Sequence, residues 1–173
     1  MNAPLGVDRR TMLRRVRRTL TLRTVTAVIL EVLLLPTAVT GLVAWLSPGG
    51  SGDGGVPHEV YGGVAVAVTG GALAVLAFVV AALYGRSALT PAIAGGGPVD
   101  TNRAAVGWRA CVVGTYTAFI GYGAGIAIGV INSVASSDFL PTWGVLTSGG
   151  LVFLVVLIVR RGLAITLRWL PRA

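Results

Sequence analysis

Apolar residues fall in four long blocks along the chain, and not in the short alternations of an amphipathic soluble protein. The blocks cover residues 25–46, 60–84, 110–131 and 143–159. Each approaches the ~20 residues that a helix needs to cross a hydrocarbon core. Because backbone groups inside such a core must be satisfied within the segment, the blocks are predicted to be helices. The pattern predicts an all-α, polytopic membrane protein, with a four-helix transmembrane bundle over residues 24–159.

Composition supports the same fold class and argues against a soluble domain. Hydrophobic residues make up 54 % of the chain and charged residues 12 %, and the mean hydropathy is +0.82. Ordinary soluble domains carry roughly 25 % charged residues. No soluble part remains to present the net charge of +8 to a nucleic acid. We therefore expect the lipid bilayer as the surroundings, with anionic lipid at the cytoplasmic face as the counter-charge.

The basic residues lie on one side of the predicted topology. All fourteen are arginines, and they occur before the first block, between the second and third, and after the fourth. They are Arg9, Arg10, Arg14, Arg15, Arg17, Arg18, Arg23, Arg86, Arg103, Arg109, Arg160, Arg161, Arg168 and Arg172. Short loops rich in arginine remain on the cytoplasmic side of a membrane. The sequence thus predicts a multi-pass protein of the cell membrane with both termini in the cytoplasm.

The segments outside the blocks give weaker predictions. In residues 1–23, Leu13, Val16 and Leu20 recur at helical spacing among arginines. This pattern is typical of a basic amphipathic helix on the membrane surface, and a disordered basic tail remains an equal alternative. Residues 160–173 are predicted to be a basic cytoplasmic tail along the inner surface, and the glycine-rich connection 85–109 is predicted to be mobile.

Small residues follow one face of the third block at spacings of three and four, and a shorter stripe marks the second block. They are Gly114, Ala118, Gly121, Gly125 and Gly129 in the third block, and Gly63, Ala67 and Gly71 in the second. Small residues allow membrane helices to approach closely. Two interpretations stay open: packing inside one bundle, or packing against another copy or a partner's helix.

Glu31 is the ionisable residue that lies within a block. A charged side chain in a membrane helix costs roughly 2.5–3.5 kcal/mol on insertion scales, so it must face the bundle, be protonated or find a partner. Arg109, at the start of the third block, is a possible partner. Glu31 is therefore a candidate coupling carboxylate, and a hydrogen bond that joins two helices is the structural alternative.

The sequence gives little indication of catalysis or metal binding. His58 is the single histidine and Cys111 the single cysteine. Nucleophile–base pairs, zinc spacings and phosphate-binding loops are not found. The sequence therefore predicts no enzyme, no bound metal and no cofactor.

One resemblance involves the end of the first block and the start of the second. Thr40-Gly41-Leu42, a glycine-rich connection and His58-Glu59-x-x-Gly62 together resemble the first half of the four-helix membrane b-type cytochromes. Those bundles hold haem between histidines on facing helices. This chain has only His58, and both methionines lie before the first block. The resemblance therefore implies a relative without haem.

Two functional hypotheses follow. The first is a non-enzymatic integral membrane protein, an accessory or self-associating subunit that packs through small-residue helix faces. Its partner is another copy or another membrane protein. The alternative is a small proton- or cation-coupled transporter that uses Glu31.

Overall fold

The chain is helical nearly throughout. The structure, a computed structural model, describes residues 5–47 and 58–170, and it has no strand in these two ranges. The helices are α1 (Leu5–Leu46), α2 (His58–Ala88), α3 (Thr90–Gly95), α4 (Thr101–Ser136), α5 (Leu140–Gly144) and α6 (Gly150–Trp169), with a π-helical turn (Val145–Gly149) between α5 and α6. Helices α1, α2, α4 and the α5–α6 unit are long and apolar enough to cross a membrane. The prediction of an all-α chain with four such helices is confirmed.

Helix α2 lies at the centre, and α1, α4 and α6 pack around it. Helices α1 and α4 barely touch each other. The buried positions of α2 are mostly small, with Ala65, Ala74 and Ala81 among those that are almost fully covered. Small side chains let several helix backbones approach one central helix closely, which explains why α2 is the most buried of the four.

Helix α1 continues without a break from the arginine-rich segment into the first apolar block. It has 42 residues, which gives ~63 Å at a rise of ~1.5 Å per residue, about twice a hydrocarbon core of ~30 Å. Leu13 and Leu20 are buried in the same core cluster as the apolar blocks. The described part of this segment is therefore the first part of α1, and its leucines are buried against the end of the bundle.

Two other segments outside the apolar blocks are also helical in large part. Helix α6 runs on to Trp169, and Leu163 and Leu167 are buried, so residues 160–169 extend the bundle. The connection between α2 and α4 is largely helical. A hydrogen bond joins its two ends, because the Asp100 backbone N–H donates to the Ala88 carbonyl oxygen at 3.0 Å. Apolar contacts with the bundle hold both segments.

The arginine-bearing helix ends meet at one end of the bundle. A side-chain carbon on Gly85 of α2 would lie 2.6 Å from Leu167 of α6 and 3.5 Å from Leu20 of α1. The Arg168 guanidinium of α6 lies over the Trp108 ring of α4, 5.3 Å from its centroid. We call this the arginine end. It comprises the first part of α1, the last turns of α2 and α6, helix α3 and the start of α4.

Candidate functional site

The predicted small-residue stripes form the contact between α2 and α4. Gly121 lies directly against Gly70, and a side-chain carbon added to either would be 2.5 Å from the Cα of the other. One added to Gly125 would lie 2.6 Å from the Gly63 carbonyl oxygen and 2.9 Å from the Ala67 Cβ. The two backbones therefore touch, and only glycine fits at these crossings.

The remaining stripe residues extend this contact or belong to a neighbouring one. Gly114 faces Phe78 and the Ala74 carbonyl oxygen, Ala118 is 1 % exposed, and Gly129 faces the start of α5. Gly71 instead faces Val152 of α6. The sequence prediction did not include Gly70, although its spacing from Gly63 and Ala67 places it on the same face.

Gly123 differs from these glycines. It is exposed, and a side-chain carbon added to it would meet no atom within 4 Å. Tyr116 and Ile120 precede it on the same helical face, and Ala127 and Ile131 follow it. All four are exposed. This exposed face of α4 has small residues at its centre and larger side chains at both ends, and we call it the outer α4 groove.

Glu31 places one carboxylate oxygen, Oε2, out of solvent reach, with no hydrogen-bond partner among the described residues. The structure does not form the predicted pair with Arg109. Arg109 is exposed on α4, and α1 and α4 barely touch because α2 is the common neighbour of both. The Glu31 carboxyl group therefore does not pair with Arg109, the possible partner suggested by the sequence.

Two arginines of α6 are fixed by residues of α4. Arg160 Nε donates a hydrogen bond to Thr115 Oγ1 at 2.9 Å, and Thr115 is itself buried and donates to the Cys111 carbonyl oxygen at 2.8 Å. Arg168 lies over Trp108. We call this line of contacts the α4–α6 seam. The sequence had placed both arginines in a tail, because an arginine after an apolar run carries no sign of the helix that it reaches.

The other end of the seam is closed by aromatic and hydroxyl groups. Tyr122 stacks on Phe153, with ring centroids 4.7 Å apart. Beyond it, the Ser133 and Thr142 hydroxyls share a hydrogen bond of 2.8 Å. These contacts join the far end of α4 to α5 and α6, so intrachain contacts hold these helices together at this end of the bundle.

A lateral cavity lies between α1 and α2, away from the seam. It has a volume of about 460 Å³. Pro36, Thr40, Gly41, Tyr61 and Val64 are among its lining residues. The hydroxyl group of Thr40 donates to the Pro36 carbonyl oxygen at 2.8 Å, so it is turned to its own helix and not into the cavity.

Among the described residues, no three His, Cys, Asp or Glu side chains come close enough together to bind a metal ion. Asp53 and the side chains of His58 and Glu59 lie outside the described residues. The resemblance to the b-type cytochromes depends partly on these positions and stays a prediction.

The four apolar helices indicate a multi-pass membrane protein. Comparison of the chain with protein-family models, with curated proteins and with solved structures found no match. The outer α4 groove, Glu31 and the α4–α6 seam are candidate functional features of the described chain.

Proposed function

We propose that the protein is a non-enzymatic integral membrane subunit that associates with a further transmembrane helix through the outer α4 groove. That helix belongs to a second copy or to a partner membrane protein. The arginine end faces the cytoplasm, because arginine-rich segments near spanning helices remain on that side.

The observation that carries the proposal is the open space at Gly123. Glycine in a helix interior is about 0.8–1 kcal/mol less favourable than alanine. At Gly121 and Gly125 that cost is offset by backbone contact with α2. Gly123 has no such contact with any described residue, and we infer that the reason for glycine here lies in another molecule. Close approach of another helix is the usual reason in membranes.

The shape of the groove agrees with this role. Gly123 and Ala127 are four residues apart and lie one turn above the other. Tyr116 is 66 % exposed, and Ile120 is 70 % exposed, so both stand out from the helix beside the small residues. A partner helix that crosses at Gly123 would pack against these side chains as well as the backbone.

The test compares two glycines on one helix. The purified protein is measured in nanodiscs without denaturant, as wild type, Gly123→Leu and Gly121→Leu. A multimer or co-purifying subunit should disappear in Gly123→Leu while the chain keeps its helical circular dichroism and thermal stability. Gly121→Leu should instead destabilise the fold, because α2 is in the way.

Val80→Leu is the matched control, since it enlarges an exposed side chain of α2 outside the groove. It should leave the assembly unchanged. A wild-type monomer, or an assembly that Gly123→Leu leaves intact, would contradict the proposal.

Glu31 supports a second candidate, a small proton- or cation-coupled transporter. A buried carboxyl oxygen on a membrane helix, without a hydrogen-bond partner among the described residues, is by default a candidate for ion or proton binding. Proton flux into proteoliposomes under an imposed pH gradient, with and without sodium, should then fall in Glu31→Gln. Arg109→Gln should leave it unchanged, since Arg109 is not joined to Glu31. Flux that Glu31→Gln does not affect would exclude this candidate.

A further inference from the structure

The lateral cavity between α1 and α2 lies where α1 and α6 have separated. Toward the arginine end these two helices are in contact, and a side-chain carbon added to Gly162 of α6 would lie 2.5 Å from the Arg23 Cζ of α1. Farther along, α1 packs against α2, and among the described residues it does not pack against α5 or the π-helical turn. The separation leaves the cavity beside the Gly41–Ala65 contact, in which a side-chain carbon on Gly41 would lie 3.2 Å from the Ala65 Cβ.

The wall of the cavity offers a polar ligand little to bind. The Thr37 hydroxyl donates to the Leu33 carbonyl oxygen at 2.9 Å, and the Thr40 hydroxyl is likewise bonded within α1. The wall on the α2 side consists of Tyr61, Val64, Ala65 and Val68. A polar ligand would lose its hydrogen bonds to water here without replacement, which is costly. The lining therefore favours a hydrocarbon.

The cavity lies within the apolar blocks of both helices. Its α1 residues fall between positions 36 and 44 and its α2 residues between 61 and 68, which is ~10–12 Å along each helix. The volume of about 460 Å³ is in the range of cavities that hold a small ligand, about 300–1,000 Å³. No water is present at this depth of a bilayer to fill such a space. The acyl chains of lipids are the groups that meet its opening.

Tyr61 indicates how such a chain is placed. It stands at the beginning of the second apolar block, and tyrosine side chains are enriched where a membrane meets water. Val68 lies seven residues farther along α2, or ~10 Å deeper. The cavity thus extends from the membrane surface at Tyr61 toward the middle of the bilayer, in the direction in which an acyl chain runs.

We propose that this cavity is a binding site for one acyl chain of a phospholipid, taken from the leaflet farther from the arginine end. The chain enters beside Tyr61, and its methylene groups lie against Ala44, Val64 and Val68. These side chains then gain the dispersion contacts that an empty space withholds. The site belongs to α1 and α2, so it does not depend on association through the outer α4 groove.

Native mass spectrometry of the full chain in a short-chain detergent tests the site, with dioleoyl phosphatidylcholine as titrant. This lipid has no net charge, so the arginines should not decide its binding. Wild type should retain the lipid. Val64→Phe should weaken binding by roughly tenfold, because its ring would occupy the space that the chain needs. Val43→Phe is the matched control, since it makes the same change at an exposed site of α1 outside the cavity, and it should bind as wild type does.

Two further variants separate filling of the cavity from misfolding and from loss of a polar group. Ala44→Leu fills the cavity from the α1 side and should also weaken binding. Thr40→Val keeps the shape of the side chain and removes only its hydroxyl, so it should leave binding unchanged. Thermal unfolding followed by circular dichroism shows whether each variant is folded. If Val64→Phe does not fold, Ala44→Leu and the measurements on wild type still decide the question.

The length of the acyl chain separates chain binding from headgroup binding in wild type. Dihexanoyl phosphatidylcholine carries the same headgroup on short chains, and it should bind at least about tenfold more weakly than the dioleoyl lipid, because each buried methylene contributes to binding. Equal binding of the two lipids would mean a headgroup site and would overturn the assignment. So would a wild type that retains no lipid, or equal losses in Val64→Phe and Val43→Phe. Weakened binding in folded Thr40→Val would mean a polar ligand, with the same consequence.

Discussion

Gly121 and Gly123 are two residues apart on α4, yet the structure gives them opposite surroundings. A methyl group at position 121 would lie 2.5 Å from the Gly70 Cα and 3.3 Å from the Gly70 backbone nitrogen. These are backbone atoms, which cannot turn aside as a flexible side chain can. A methyl group at position 123 would touch nothing within 4 Å. The two Gly→Ala substitutions therefore differ mainly in whether α2 must move.

The magnitude follows from this difference. Alanine is favoured over glycine in a helix interior by about 0.8–1 kcal/mol, and the two sites share that gain. It cancels when the two variants are compared. Overpacking a closely packed contact costs typically 1–3 kcal/mol, and only Gly121→Ala incurs it. The free energy of unfolding of Gly121→Ala should therefore be about 1–3 kcal/mol below that of Gly123→Ala.

Reversible unfolding in mixed micelles measures the difference, with helix content followed as the fraction of denaturing detergent rises. Dilute protein keeps any assembly through the outer α4 groove out of the comparison. Gly70→Ala is the reciprocal control, because its methyl group would lie 2.5 Å from the Gly121 Cα, and it should match Gly121→Ala. Equal unfolding midpoints for Gly121→Ala and Gly123→Ala would refute the close α2–α4 contact.

Three other substitutions can be measured in the same unfolding assay. Leu20→Ala should lower the free energy of unfolding by about 2–5 kcal/mol, as expected for a buried leucine. Leu22→Ala, at a site 61 % exposed, should change it by less than ~0.5 kcal/mol; equal effects would mean that the arginine-rich segment does not pack on the bundle. Asp100→Ala should cost about 0.5–2 kcal/mol, since its carboxylate accepts from the Arg103 N–H at the start of α4, and no loss would mean that this cap is not formed. Glu31→Leu should raise the free energy of unfolding by about 1–3 kcal/mol, because it removes a buried acceptor that has no partner among the described residues; a loss would indicate that the carboxyl group stabilises the fold.

The apolar blocks predicted the number of candidate spanning helices, because a run of about twenty apolar residues has few stable environments other than a membrane-spanning helix. Helical spacing likewise identified the face that contains Gly121 and Gly125. Spacing shows which residues share a helix face, but it does not show what packs against that face. It could not decide whether α2 or another molecule covers the small residues of α4. It also gave no reason to separate Gly123 from the stripe residues, since only the packed structure shows which glycines are covered.

The structure adds most to the predictions in segments where apolar and charged residues alternate. Leu13 and Leu20 predict a helix with one apolar face, but a membrane surface and the end of a bundle can cover such a face equally well. Arg160 follows an apolar run and therefore looks like the start of a tail. Its long side chain reaches Thr115 of another helix, and a contact between residues 45 apart leaves no local pattern in the sequence.

Because α1 is continuous, its arginines lie at different distances from the membrane surface, and this decides which of them anionic lipid can neutralise. Arg14 lies nine residues before Arg23, or ~14 Å along the helix. Attraction to anionic lipid falls off within about 8 Å at physiological ionic strength. With the arginine end in the cytoplasm, as proposed, and Arg23 near the membrane surface, an upright α1 holds Arg14 beyond the reach of lipid phosphates. Lipid can then neutralise Arg23, while the exposed Arg14 faces water on the cytoplasmic side.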